Sequence, residues 1–238
     1  MYKLSVVIPA YNEEKKISKD IEAVFKYFKE NLINGELIVV NDGSKDQTFN
    51  VANSYSSKIP NLKALTYAKN RGKGYAIKTG VLQAQGEFIL VVDSGLCVPF
   101  KCTNTGIELL NKENDIAIGS RKEKEQKAKI IVKQPLYRRL GSKIFHSMIK
   151  IVKLIPEGIE DTQCGFKLFK KEVAHNIFKN LFTEKFMWDI EVLRVARKKK
   201  YKIAVFPVEW SNDSDTKFNP YIGSIENLLQ IINIMLRT

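Results

Sequence analysis

Four polar segments hold the side chains best suited to chemistry. Three of them each follow a short apolar run: Pro9-Ala10-Tyr11-Asn12-Glu13-Glu14, Asn41-Asp42-Gly43-Ser44 and Asp93-Ser94-Gly95. The fourth, Asn70-Arg71-Gly72-Lys73-Gly74, sets a lysine between two glycines. Glycines allow close backbone approach, and Lys73 between them could reach a phosphate. Arg121, Arg138 and Arg139 supply cations further along the chain, in the residue type that grips anionic oxygens with a planar fork. Two common nucleotide motifs are missing. The chain has no G-x-x-x-x-G-K-[ST] and no G-x-G-x-x-G after its first apolar run, which disfavours a P-loop and a dinucleotide fold.

The elements that must position these residues read as an alternation. Leu4 to Pro9 is short, apolar and rich in β-branched residues, the signature of a buried strand. Glu13 to Glu30 carries Ile17, Ile21, Val24, Phe25 and Phe28 at helical spacing. Glu36 to Val40 is a second strand, and a helix follows through about Ser54, capped near Ser44 or Asp46. Leu62 to Tyr67 is a strand, Lys73 to Gln83 a helix, and Glu87 to Val92 a strand ending at Asp93. Such alternation implies an α/β fold, with a mostly parallel central sheet flanked by helices. Ligands of such sheets bind beyond the carboxyl ends of the strands, where Asn12, Asp42 and Asp93 all fall.

Later elements are a helix near Cys102 to Asn111, a strand at Asp115 to Ser120, and a basic segment from Arg121 to Lys153. After Asp161 comes a mixed region, with a helix around Trp188 to Lys199, a strand at Lys202 to Glu209, and a last helix from about Tyr221 to Leu236. The 238 residues, 44% hydrophobic, suffice for one large domain. The formal charge of +13 permits a polyanionic partner without choosing among nucleic acid, anionic lipid and phosphorylated substrate. Cys97, Cys102 and Cys164 have no metal-ligand spacing and read as reduced thiols of a cytosolic protein without a signal peptide. His146 and His175 read as ordinary helix residues, and Trp188 and Trp210 as packing residues.

Taken in order, Val7-Ile8-Pro9-Ala10-Tyr11-Asn12-Glu13, Asn41-Asp42-Gly43-Ser44, Asn70-Arg71-Gly72-Lys73-Gly74-Tyr75-Ala76 and the strand ending at Asp93 resemble family 2 glycosyltransferases. That family has the GT-A, or nucleotide-diphospho-sugar transferase, fold. Gly119-Ser120-Arg121, Arg138-Arg139, the run from Asp161 to Phe169 and Phe186-Met187-Trp188-Asp189-Ile190-Glu191 are similar to its polyprenyl-phosphate branch. Within that branch the motifs are closest to the dolichyl-phosphate β-glucosyltransferases. The resemblance covers about residues 4 to 212. It divides the chain into a catalytic domain over 1–212 and a C-terminal loop and amphipathic helix over 213–238.

The resemblance implies an inverting transfer of a hexose from a UDP- or GDP-sugar to a polyprenyl phosphate. It gives Pro9, Tyr11, Glu13 and Asp42 to the nucleotide base and ribose, with Lys73 at the phosphates. Asp93 and Asp161 are the implied catalytic carboxylates, and Asp93 and Gln163 the implied ligands of Mg²⁺ or Mn²⁺. The family's D-x-D reads Asp93-Ser94-Gly95 here, so that metal site lacks a carboxylate. A phosphate acceptor is already anionic and calls for cations, with Arg121, Arg138 and Arg139 as candidates. A sugar hydroxyl would instead require a base such as Asp161. Gly95 also leaves open a non-catalytic nucleotide-sugar-binding protein.

Leu136, Leu140, Ile144, Met148 and Val152 form one stripe of a basic segment, a pattern that either lies in lipid headgroups or packs on the core. The C-terminal run Ile225 to Leu236 is too short and too polar to span a bilayer. Any attachment is therefore expected to be peripheral, at the cytoplasmic face of an anionic membrane. Asp213 to Lys217 reads as a loop that could close over substrate. Nucleic-acid binding would explain the charge but none of the strand-end motifs.

Overall fold

The computed structural model describes residues 1–122, 129–130, 154–211 and 220–238. Arg138, Arg139, the 136–155 stripe up to residue 153 and the 213–217 loop lie outside the described residues.

A seven-stranded sheet runs through the molecule in the order β3-β2-β1-β4-β7-β5-β8. Its strands are β1 (Leu4–Ala10), β2 (Gly35–Asn41), β3 (Leu62–Thr66), β4 (Phe88–Val92), β5 (Ile116–Ser120), β7 (Phe166–Lys170) and β8 (Ile203–Pro207). The β1–β2, β2–β3, β1–β4 and β5–β8 pairs are parallel, whereas β7 runs antiparallel to both β4 and β5. A second, two-stranded parallel sheet joins β6 (Lys129–Ile130) to β9 (Glu209–Trp210).

Apolar runs such as Val6-Val7-Ile8 are buried on both faces, as parallel strands between helical layers must be. Leu4, Val6 and Ile8 point toward α1 (Ile17–Glu30), α2 (Thr48–Ser56) and α4 (Cys102–Asn111). Val7 joins the opposite layer, made of α3 (Lys73–Gln83), α5 (Lys171–Lys179), α6 (Trp188–Lys198) and α7 (Pro220–Arg237). The two-residue period of β1 thus feeds two cores.

Helix α1 starts at Ile17 rather than Glu13, because residues 13–16 form a turn in which Glu13 O accepts from both Lys16 N and Ile17 N. Helix α2 begins at Thr48, whose N–H donates to Asp46. The region after Asp161 resolves into β7 and α5 before α6. His175 lies on α5, with Nε2 3.1 Å from Ala84 O. Trp188 is fully buried and Trp210 nearly so. Among the described residues, no helix is long and apolar enough to cross a membrane.

Candidate active site

The carboxyl ends of β1, β2 and β4 are adjacent in the sheet, and the residues singled out in the sequence meet there. The loops after β1 and β2 are laced together. Asn12 N donates to Ser44 Oγ at 2.9 Å, Lys45 N donates to Asn12 Oδ1 at 2.9 Å, and Glu13 N donates to Thr48 Oγ1 at 2.7 Å. Asn12 takes a left-handed φ of 55°, a conformation asparagine tolerates better than most side chains. Pro9, Tyr11 and Glu13 are half-buried along this edge, and Glu13 is paired with Lys16 at 2.7 Å.

Asp42, directly after β2, is buried and its carboxylate receives four donors from its own chain. Tyr67 Oη (2.7 Å) and Arg71 N (2.8 Å) donate to Oδ1; Asn70 Nδ2 and Gly72 N, both at 2.9 Å, donate to Oδ2. The sequence reading gives Asp42 to the nucleotide, and the structure shows what the side chain itself holds, the 70–72 turn. Burial, and then Asp42, push the Tyr67 phenol well above its ordinary range, so it stays a donor. Gly72 has a φ of 113° and Gly74 packs against Thr183, Lys185 and Trp188, so both glycines are required by geometry.

The turn delivers Lys73 to the first position of α3, where Nζ lies 2.6 Å from Asp93 Oδ1. Burial pulls the Lys73 ammonium down, but Asp93 and Asp189 outweigh it and hold it above its usual value. Asp93 follows β4, and Gly165 lies so close that a Cβ there would overlap the Asp93 carboxylate. Ser94 Oγ (2.5 Å) and Gly95 N (3.0 Å) donate to the buried carboxylate of Asp20 on α1. Gly95 itself has a φ of 97°, which disfavours any residue with a Cβ.

These groups test the site for a divalent cation. Among the described residues, no directed hydrogen bond reaches the buried Asp93 Oδ1, whose near neighbour is the Lys73 ammonium at 2.6 Å. Among the described residues, no cluster of three or more His, Cys, Asp or Glu side chains stands ready for a metal. Half-buried Gln163 lies in the turn before β7 and adds an amide oxygen to the donor types. The residues therefore fit a cation shared with phosphate oxygens, as Mg²⁺ is commonly held, and not a cage of protein ligands alone.

Across β7 from Asp93, Asp161 is 4% exposed and is gripped by Arg121, which follows β5. Arg121 N and Nε each donate to Asp161 Oδ2 at 2.8 Å, and Nη2 donates to Oδ1 at 2.7 Å. Burial raises the Asp161 carboxyl, but Arg121 overrides it and sets the pKa below the ordinary value. The guanidinium also stands over the Trp210 ring, 5.5 Å from its centroid.

A glycosyl transferase family 2 model matches residues 5–178. The chain belongs to that family. It is 35% identical over 245 residues to the dolichyl-phosphate beta-glucosyltransferase of Dictyostelium discoideum, covering 98% of this chain and 74% of that protein. To the human protein of the same name the identity is 36%, over 98% of this chain and 75% of the relative. The chain is a glycosyltransferase. Its fold is GT-A: glucosyl-3-phosphoglycerate synthase from Mycobacterium tuberculosis, solved with Mn²⁺ and UDP-glucose, superposes with a TM-score of 0.71. That match covers 99% of this chain and 78% of the synthase at 16% identity, so it speaks to the fold.

Tyr67 serves the site through Asp42, as does Asn70 of the glycine-bearing motif, and Asp20 serves it through the 94–95 loop. Tyr67 and Asp20 were not legible as functional beforehand, since each acts across a long chain separation and has no sequence signal of its own. Lys167 does have one, a lysine inside the apolar strand Phe166-Lys167-Leu168-Phe169.

Proposed function

We propose that this glycosyltransferase moves glucose from a nucleoside-diphosphate sugar to a polyprenyl phosphate. The observation that carries this reading is the state of Asp161. The carboxylate that a hydroxyl acceptor would need as a base is buried, accepts three hydrogen bonds from Arg121 and has a lowered pKa. A general base needs the opposite shift, toward neutral pH. An acceptor phosphate is already anionic at neutral pH and requires a cation to place it. The Asp161 pairing leaves the Nη1 hydrogens of Arg121 available to such an anion.

In this reading Pro9, Tyr11 and Glu13 border the base and ribose. Asp42 acts on the donor through the turn it fastens, and Lys73 turns its ammonium to the diphosphate. Asp93 and Gln163 would hold a Mg²⁺ or Mn²⁺ ion with the donor, where such an ion acts as a Lewis acid on the phosphoryl oxygens. An oxygen of the acceptor phosphate attacks the anomeric carbon from the face opposite the leaving group. The bond to the diphosphate oxygen breaks, its electron pair leaves with the nucleoside diphosphate, and the anomeric configuration inverts. Arg138 and Arg139 are further candidates for the acceptor phosphate.

The names of the relatives support the acceptor. A lipid acceptor also places the protein at a membrane, and we assign it peripherally to the cytoplasmic face. Helix α7 exposes Leu229, Ile232 and Leu236 on one side while Ile231 and Ile234 pack inward. Purified protein offered UDP- and GDP-sugars with a short polyprenyl phosphate should yield a glucosyl lipid phosphate from one donor, and Arg121→Ala should abolish it. Transfer to a saccharide hydroxyl and none to the lipid phosphate would refute the proposal.

A further inference from the structure

Beneath the Lys73–Asp93 and Arg121–Asp161 pairs lies a third ion pair to which the chemistry above gives no role. Lys167 is the second residue of β7, in register with Val91 on one side and Ile118 on the other, and its side chain is 0% exposed. Its Nζ donates to Cys164 O at 2.5 Å and to a carboxylate oxygen of Asp189. A buried pair of this kind is weak evidence for stability, because desolvating both charges offsets most of their attraction. Packing alone therefore gives no reason to keep a lysine and an aspartate here.

The pair does touch both halves of the site. Through Cys164 O, Lys167 fastens the turn that carries Asp161 at one end and Gly165 at the other, and Gly165 is the floor under the Asp93 carboxylate. Through Asp189 it reaches the start of α6, against which the start of α3 is closely packed. A Cβ on Gly74 would fall 2.9 Å from Trp188 Cβ, and Gly74 N donates to Lys185 O at 3.1 Å. Lys73 immediately precedes that contact, and Asp189 is one of the two carboxylates that act on its ammonium. The order Arg121, Asp161, Lys167, Asp189, Lys73, Asp93 alternates in sign from the acceptor side to the donor side.

We infer that Lys167 and Asp189 are positioning residues: Lys167 occupies the Asp189 carboxylate, so that Lys73 stays turned toward Asp93 and the donor diphosphate. This rests on the donor-binding reading above. Removing Lys167 alone would leave a buried carboxylate that still acts on the Lys73 ammonium across the packed starts of α3 and α6, and the donor would lose that ammonium. Removing both charges would leave Lys73 where it is.

Calorimetric binding of UDP and GDP to the wild type, Lys167→Met, Asp189→Asn and the double variant tests this. Circular dichroism would establish the folded fraction of each. Lys167→Met should bind the preferred nucleotide about tenfold more weakly or worse, and adding Asp189→Asn should restore affinity to within about threefold. A purely structural role predicts a fall in unfolding midpoint with unchanged affinity per folded molecule, and that result overturns the inference. So does a loss that the second substitution fails to rescue. If Lys167→Met does not fold, the double variant decides alone: affinity near wild type is the expected result, and a loss of about tenfold overturns it. A wild-type protein that binds neither nucleotide would sink the donor reading itself, and the role of the pair with it.

Discussion

Substituting Asn for Asp161 separates its two possible roles. In the structure the carboxylate is 4% exposed and accepts three hydrogen bonds from Arg121, whose side chain is about a quarter exposed. Breaking a buried ion pair from one side costs about 3–5 kcal/mol, because the remaining charge is left uncompensated. Asn keeps an acceptor for Arg121 N–H, and part of the guanidinium reaches water, so the low end, about 3 kcal/mol, applies at neutral pH. For a chain of this size that is a drop of about 6–12 °C in unfolding midpoint. The pH dependence follows from the lowered Asp161 pKa. A carboxylate depressed in the folded state contributes stability that is present above its unfolded pKa, about 3.9. That contribution is lost as pH falls through the folded value. The gap between wild type and Asp161→Asn should therefore be full at pH 6–8 and close progressively below about pH 4. Denaturant unfolding at a series of pH values, in low and high salt, reads this directly. Arg121→Met combined with Asp161→Leu should recover most of the stability and none of the transfer activity. A gap under about 1 kcal/mol at pH 7, or one that persists unchanged at pH 3, would refute the buried-pair reasoning. Unchanged stability with a rate loss of about 10²–10⁴ would return Asp161 to the role of a base.

Three other outcomes follow from the geometry. Asp42→Ala strips the 70–72 turn of its four-donor anchor and should weaken nucleotide binding by about tenfold or more, read by calorimetry on folded protein. Gly165→Ala would drive a Cβ into the Asp93 carboxylate, so transfer should be lost while the circular dichroism spectrum stays that of the wild type; retained activity would count against Asp93 as the centre of the donor site. Changing Leu229, Ile232 and Leu236 together to Ser should leave the unfolding midpoint within about 2 °C, since all three are exposed. The same variant should lower cosedimentation with anionic vesicles by about tenfold, and undiminished binding would remove α7 from the membrane contact.

The strand-end segments were legible because a parallel sheet constrains sequence locally. Buried strands must be apolar on both faces, so the first polar residues after Ile8, Val40 and Val92 mark the ends where ligands bind. The same segments carry the family motifs, and the family model and relatives agree on the family. The turn at Gly72-Lys73-Gly74 was visible for a different reason, a lysine set between two glycines, of which Gly72 takes a left-handed φ.

Tertiary structure decided what each polar side chain is spent on. Asp42 reads as a nucleotide contact, and the fold shows that its carboxylate also accepts from Tyr67, Asn70, Arg71 and Gly72, between 25 and 30 residues away. Asp161 reads as an acceptor-side carboxylate, a base only for a hydroxyl acceptor, and the fold sets it against Arg121, 40 residues away. Strand β7 escaped the sequence reading because Lys167 breaks its apolar pattern, and only the antiparallel register between β4 and β5 explains why a lysine belongs there. Hydrophobic period is a property of neighbouring residues and can be read along the chain. Hydrogen-bond and charge pairing joins residues far apart in sequence, and no local pattern specifies which carboxylate will meet which cation.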